Sequence, residues 1–152
     1  MNDSIVPLSP VGEKELQALL QIWEQAVQET HTFLSPDQIQ ALKPLVKDSI
    51  LQVEKLFCLW EDHKPQAWMG VEKNKLEMLF VRPSLRGKGL GKQLLRYGIH
   101  KLQVTFVDVN VQNPQALGFY EHLGFRIIGR SAVDGQGQPF PLFHLQYAQD
   151  CP

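Results

Sequence analysis

A chain of 152 residues, 43% hydrophobic and 20% charged, is sized for one domain that buries about two thirds of its unfolded surface without disulfide or metal staples. A net charge of -1 and a pI near 6.5 exclude bulk nucleic-acid binding, and the absence of any run of 18 apolar residues excludes membrane insertion. Two cysteines, Cys58 in an apolar run and Cys151 next to last, make neither a disulfide framework nor a metal-ligand spacing. The start, MNDSIVPLSP, lacks the basic and apolar regions of a secretory signal, so a single cytoplasmic domain over 1–152 is expected.

Ser4 to Leu8 reads as a first strand. Leu16, Leu19, Leu20, Trp23 and Val27 then recur at the spacing of an amphipathic helix. Ser35-Pro36-Asp37-Gln38 supplies an N-cap, a proline at the first helical position and a capping-box glutamine. The second helix has the stripe Ile39, Leu42, Val46, Ile50 and Val53, and Pro44 inside it predicts two short pieces. Lys55 to Trp60, Gln66 to Glu72 and Lys75 to Val81, parted by Glu61 to Pro65 and by Lys73-Asn74, read as an antiparallel meander.

Strand four runs into Arg86-Gly87-Lys88-Gly89-Leu90-Gly91-Lys92 and then into a helix striped by Leu90, Leu94, Leu95, Ile99 and Leu102. Three glycines in five residues admit positive φ and close approach, so successive N–H groups can converge on an anion at the helix N-terminus. Arg82, Arg86, Lys88, Lys92 and Arg96 fall within fifteen positions that hold no acid, which focuses a positive field there. A P-loop is excluded because Gly91-Lys92 is followed by Gln93, not Ser or Thr. A dinucleotide fingerprint is excluded by the spacing of Gly87, Gly89 and Gly91.

Val104 to Val111 is a β-branched run suited to a buried strand parallel to strand four. Asn113 as N-cap with Pro114 opens another helix, closed by Gly124-Phe125. Phe125 to Val133 and Phe140 to Tyr147 flank Asp134-Gly135-Gln136-Gly137, a hairpin signal.

The R-x-x-G-x-G of Arg86, Gly89 and Gly91 resembles the acetyl-CoA pyrophosphate loop of the GNAT (Gcn5-related) N-acetyltransferases. Asn113 to Phe125, with Asn113, Ala116, Phe119, Tyr120 and Gly124-Phe125 in register, resembles that superfamily's N-x-x-A-x-x-F-Y-x-x-x-G-F element. The 22 residues from Gly91 to Asn113 leave room for one helix and one strand. Thr30 to Ser35, Val109 to Asn113, and Gly129 to Asp134 continuing to Pro139-Phe140-Pro141-Leu142 are similar to the bacterial YjaB-type acetyltransferases. The resemblance implies the GNAT fold: an α/β architecture with a mixed, mostly antiparallel seven-stranded sheet, parallel splayed strands four and five, and helices on both faces.

It further implies an N-acetyltransferase that moves the acetyl group of acetyl-CoA to a primary amine by direct attack in a ternary complex. Leu79, Phe80 and Val81 would meet pantetheine and the thioester carbonyl through their backbone, and the amides of Arg86, Gly87, Lys88, Gly89, Leu90 and Gly91 would hold the pyrophosphate. Lys88, Lys92 or Arg96 would reach the 3′-phosphate, Asn113 would approach pantetheine, with Ala116 and Phe119 also at the cofactor, and Asn110, inside an apolar run, would hydrogen-bond either a splayed strand or the ligand. Tyr120 takes the general-acid position, because amine attack expels a thiolate that a nearby phenol can protonate. The acceptor amine needs a base, since neutralising a lysine-like amine at pH 7 costs roughly 4 to 5 kcal/mol. Glu77 is a candidate, placed by period-two alternation on the face of Leu79; His31 and a water chain are the others. His144 with Gln146 can also line the acceptor pocket, whereas His63, His100 and His122 have turn or helix-surface settings. No metal site is expected. The acceptor is a small-molecule, peptide or protein amine, and the enzyme a monomer or homodimer. The alternatives are a non-catalytic acyl-CoA-binding module, for which Tyr120 has no use, and a different nucleotide-phosphate binder.

Overall fold

The computed structural model of the chain describes residues 5–30, 34–85, 87–135 and 137–148. Within them lie strands β1 (Ile5–Pro7), β2 (Lys55–Glu61), β3 (Lys64–Glu72), β4 (Lys75–Val81), β5 (Phe106–Asn110), β6 (Phe125–Ser131) and β7 (Leu142–Tyr147). The helices are α1 (Glu13–Thr30), α2 (Pro36–Gln52), α3 (Leu90–Leu102) and α4 (Pro114–His122). The strands form one sheet in the order β1-β2-β3-β4-β5-β7-β6, and β4 with β5 is its parallel pairing.

The stripe of α1 is buried as its periodicity requires, from Leu19 at the least exposed to Val27 at the most. Trp68 donates its indole N–H to the Leu19 carbonyl at 3.0 Å, which ties α1 to β3. Ser35 and Gln38 form the expected capping box: Gln38 N–H donates to Ser35 Oγ at 3.1 Å, and Ser35 N–H to Gln38 Oε1 at 2.7 Å. The helix they start does not break at Pro44. It runs on for 17 residues, because Pro44 and the Gln40 carbonyl it leaves without a donor are both exposed, where water serves, while Ile39 and Ile50 anchor either side in the core.

Alternation along β2 and β3 splits the core into two layers. Leu56, Cys58 and Trp68 pack with α1 and α2. Leu59, Ala67 and Met69 face the other way, toward Leu94 and Leu95 of α3 and Tyr120 of α4. Each such fully buried aliphatic side chain contributes about 1.5–3 kcal/mol over its exposed state. The β2–β3 turn is tighter than Glu61 to Pro65: Asp62 and His63, at φ 53° and 62°, make a two-residue turn, so β3 begins at Lys64. The last hairpin is looser, with its strands ending at Ser131 and resuming at Leu142. Asp134 holds the loop, its Oδ1 accepting from Gln138 N–H at 2.9 Å.

Two features of the middle strands make the site. The parallel ladder comprises only Lys75↔Phe106 and Leu76↔Val107, after which β4 and β5 part, and β5 pairs along its length with β7 instead. A register shift against β3, from Val71↔Leu76 to Gly70↔Met78, leaves Glu77 as an extra residue, a β-bulge at the point where the gap opens.

Candidate active site

The gap between β4 and β5 widens into a cleft of about 530 Å³ that runs from the glycine loop to Tyr120. At its mouth Gly87 and Gly89 take φ of 87° and 83°, a region open to glycine at no steric cost, and a Cβ on either would touch no protein atom within 4 Å. Gly89 caps α3 with no side-chain hydrogen bond, and the first turn that follows contains no acid. The N–H groups of Leu90, Gly91 and Lys92 therefore have no intrahelical carbonyl and carry the positive end of the helix dipole. All three residues line the cleft.

The loop differs from expectation at three places. Gly91 needs no positive φ. It lies inside α3, where a Cβ would sit in ordinary van der Waals contact with Val81 at 3.4 Å and Phe119 at 3.5 Å. Lys88 is exposed, donates its N–H to the Leu85 carbonyl at 3.2 Å and is not part of the lining. Arg82 does not join the basic cluster, since it donates to the Pro65 carbonyl at 3.2 Å and to Gln25 Oε1 at 3.5 Å, bracing the strand end. Arg96 is exposed on α3. Arg86 and His31 lie outside the described residues.

Leu79, Phe80 and Val81 line the cleft as the last residues of β4, where no strand pairs with their β5 side. Leu79 and Val81 pack on the α3 and α4 layer, and Phe80 on Trp68 at 5.4 Å on the other. Glu77 lines the cleft too, although not on the face of Leu79. The bulge interrupts the alternation, and the Glu77 carboxylate lies 3.9 Å from Lys75 Nζ on the opposite face.

On the far wall, Asn113 is buried and its Oδ1 accepts from Ala116 N–H at 3.1 Å, the expected N-cap of α4. Asn110 Oδ1 accepts from Gln112 N–H at 2.8 Å, so that side chain closes the turn after β5. Ala116, Phe119 and Tyr120 follow along α4 into the cleft. Tyr120 packs edge-on against Phe119 and Phe125, at 5.1 and 5.8 Å between centroids, and no described residue hydrogen-bonds its hydroxyl. Burial drives its pKa well above the ordinary phenol value, so the group is a proton donor throughout the physiological range.

Sequence reasoning passed over Asp108. It sits in β5 between the buried Val107 and Val109, lines the cleft and accepts from Lys75 Nζ at 2.7 Å and from His144 Nδ1 at 2.7 Å. Burial alone would raise its pKa, but the hydrogen bonds from Lys75 and His144 outweigh that and hold it below the usual carboxylate range. For Lys75, burial works to lower the pKa, and the hydrogen bond to Asp108 together with the negative charges of Glu77 and Asp108 more than reverses it. A lone acid inside an apolar, β-branched run was the available signal. His144 is turned to this network, with Ser131 Oγ 2.5 Å from its Nε2. His63, His100 and His122 are exposed. Among the described residues no group of three or more His, Cys, Asp or Glu side chains is placed to hold a metal ion, and no helix is long and apolar enough to cross a membrane.

The profile of the acetyltransferase (GNAT) domain family matches residues 19–140. The chain is 34% identical to the peptidyl-lysine N-acetyltransferase YjaB of Escherichia coli over 143 residues, which covers 94% of this chain and 97% of that one. It is 35% identical over 134 residues to the protein of the same name from Salmonella typhimurium, covering 88% and 92%. The solution structure of apo YjaB from Escherichia coli superposes with a TM-score of 0.85 at 32% identity, over 97% of this chain and 98% of that one. The cradle, the splayed parallel strands and the sequence relationship all converge: the chain belongs to the GNAT acetyltransferase family and is an N-acetyltransferase.

Proposed function

We propose that the chain, acting as a single cytoplasmic domain, transfers the acetyl group of acetyl-CoA to the ε-amine of a lysine in a peptide or protein, by direct attack in a ternary complex. The observation that carries this is the continuous cleft from the glycine cradle, through the parted strands, to the neutral phenol of Tyr120. The cradle suits a diphosphate, because its free amides and left-handed glycines leave room that a Cβ would take. The unpaired edge of β4 suits the amide-rich pantetheine arm.

Acetyl-CoA supplies a thioester carbonyl open to an amine. The amides of Gly87 and of Gly89 to Lys92 bind its phosphates, with Arg86 from the same loop, and the side chain of Lys88, Lys92 or Arg96 meets the 3′-phosphate. Leu79 to Val81 align the thioester along the β4 edge, and Asn110, Asn113, Ala116 and Phe119 form the facing wall. Glu77, exposed at the bulge, takes the proton that the acceptor ammonium must lose, directly or through water, and His31 is the second candidate for that role. Tyr120 gives its proton to the sulfur as the carbon–sulfur bond breaks. The peptidyl-lysine activity in the names of the YjaB relatives supports the choice of acceptor. The enzyme works as a monomer or homodimer.

The test is incubation of the purified protein with acetyl-CoA and lysine-containing peptides, followed by free thiol and by peptide mass. Acetylation at a lysine side chain is expected. Turnover confined to N-terminal or small-molecule amines would overturn the acceptor assignment, and acetyl-CoA binding without turnover on any amine would overturn the mechanism.

A further inference from the structure

We propose that Asp108 is the residue that receives the acceptor's ammonium group and aims its nitrogen at the thioester, with Lys75 and His144 as positioning residues that act through it. The inference rests on the lysine-acceptor reading above and adds the group that recognises that acceptor. Because the parallel ladder ends at Leu76↔Val107, Asp108 is the first residue of β5 beside the open gap; it lines the cleft, and its side chain is 24% exposed.

Its face matters. Val107 and Val109 are buried in the layer that holds Tyr120, so Asp108, between them in the strand, points to the opposite face. An acyl group held in the gap thus has the phenol on one side and the carboxylate on the other. An amine held by Asp108 can add to one face of the planar thioester carbonyl, and as the tetrahedral intermediate collapses the sulfur leaves with the proton that Tyr120 supplies.

The carboxylate is held from both sides. An ionised carboxylate only accepts, so His144 Nδ1 must carry the proton in the 2.7 Å contact with Oδ1, and Lys75 Nζ donates to Oδ2. In the neutral tautomer with its proton on Nδ1, the acceptor is Nε2, and the Ser131 hydroxyl donates to it. The donor sequence runs from Ser131 on β6 through His144 on β7 to Asp108 on β5, met by Lys75 from β4. Of about four lone-pair sites on a carboxylate, two are taken, leaving one on each oxygen for an incoming ammonium. A carboxylate whose pKa is lowered by these partners is a weak proton acceptor, so it binds and aims while Glu77 remains the base. The network favours a cationic amine on a slender arm over a neutral amide or hydroxyl acceptor.

The experiment varies lysine peptide and acetyl-CoA separately with wild type, Asp108→Asn, His144→Asn and His144→Leu. Asp108→Asn should raise the acceptor KM about ten- to hundredfold, the scale of a hydrogen bond to a charged group, and leave the acetyl-CoA KM unchanged. Asparagine at 144 keeps an N–H at the Nδ1 position for Oδ1 and should hold the acceptor KM within about threefold of wild type, whereas leucine should raise it beyond that. An unchanged acceptor KM in Asp108→Asn overturns the proposal, and equal effects of Asn and Leu at 144 overturn the positioning role. If Asp108→Asn fails to bind acetyl-CoA by calorimetry, the two His144 variants decide. If wild type acetylates a different amine, the lysine reading falls, and the same comparison with that amine decides Asp108.

Discussion

Replacing Tyr120 by phenylalanine removes one oxygen and leaves the ring contacts with Phe119 and Phe125 in place. No described residue depends on that hydroxyl for a hydrogen bond, so the variant should lose less than about 1 kcal/mol of stability. Its effect on turnover should be far larger. A positioned general acid is worth about 10²- to 10⁴-fold, or roughly 2.7 to 5.5 kcal/mol in the barrier. Burial holds the phenol protonated, so the wild-type rate should show no loss from tyrosine ionisation between about pH 6 and 9, where an ordinary phenol of pKa about 10 would begin to titrate. Stopped-time assays of free CoA, with calorimetric titration of acetyl-CoA in parallel, should show kcat lowered at least about a hundredfold at unchanged cofactor affinity. A variant within about threefold of wild-type kcat would refute the acid role and leave Tyr120 as packing.

Gly89→Val should lower acetyl-CoA affinity at least about tenfold by calorimetry, because a β-branched residue resists the left-handed φ of 83°; Gly118→Ala, on open helix surface, should bind normally and be stabilised by about 0.5–1 kcal/mol. Lys75→Met should cost about 0.5–1 kcal/mol, since the lysine side chain is more than a third exposed. The sign of its pH dependence follows from both partners: the depressed Asp108 contributes above the usual carboxylate pKa and loses its share as pH falls through the lower folded value, while the raised Lys75 contributes below about 10.4 and loses its share above. Melting curves of wild type and variant should therefore differ between about pH 5 and 9 and converge only as pH falls through the depressed folded pKa of Asp108. Cys58, fully buried with its thiol pushed up to about 12 by burial, should stay unreactive to thiol reagents at pH 8 until urea unfolds the protein, and rapid native labelling there would contradict the packing.

The parts of this molecule legible in the sequence are those whose physics is local. The stripe of α1, the capping box at Ser35 and the N-cap at Asn113 each involve residues within a turn or two, and each is where the pattern puts it. The glycine loop was legible because φ preference belongs to the residue itself, although which glycines use it was not: Gly87 and Gly89 are left-handed, while Gly91 already lies inside α3. Arg82 joined its basic neighbours by proximity along the chain, but its guanidinium follows Pro65 and Gln25 in space. Glu77 changed faces through a bulge defined against β3, which alternation within β4 alone cannot reveal. Asp108 was hidden because its two partners lie 33 and 36 residues away.

The placement of β7 between β5 and β6 also governs when the enzyme can exist during its own synthesis. Until residues 142–147 leave the ribosome, β5 has only two ladder positions against β4 and an open flank on its other side. The nascent chain can assemble β1 to β4 with α1 and α2 early. Its catalytic half closes only once that late segment threads into place, so an interrupted translation product would be folded in part and inert.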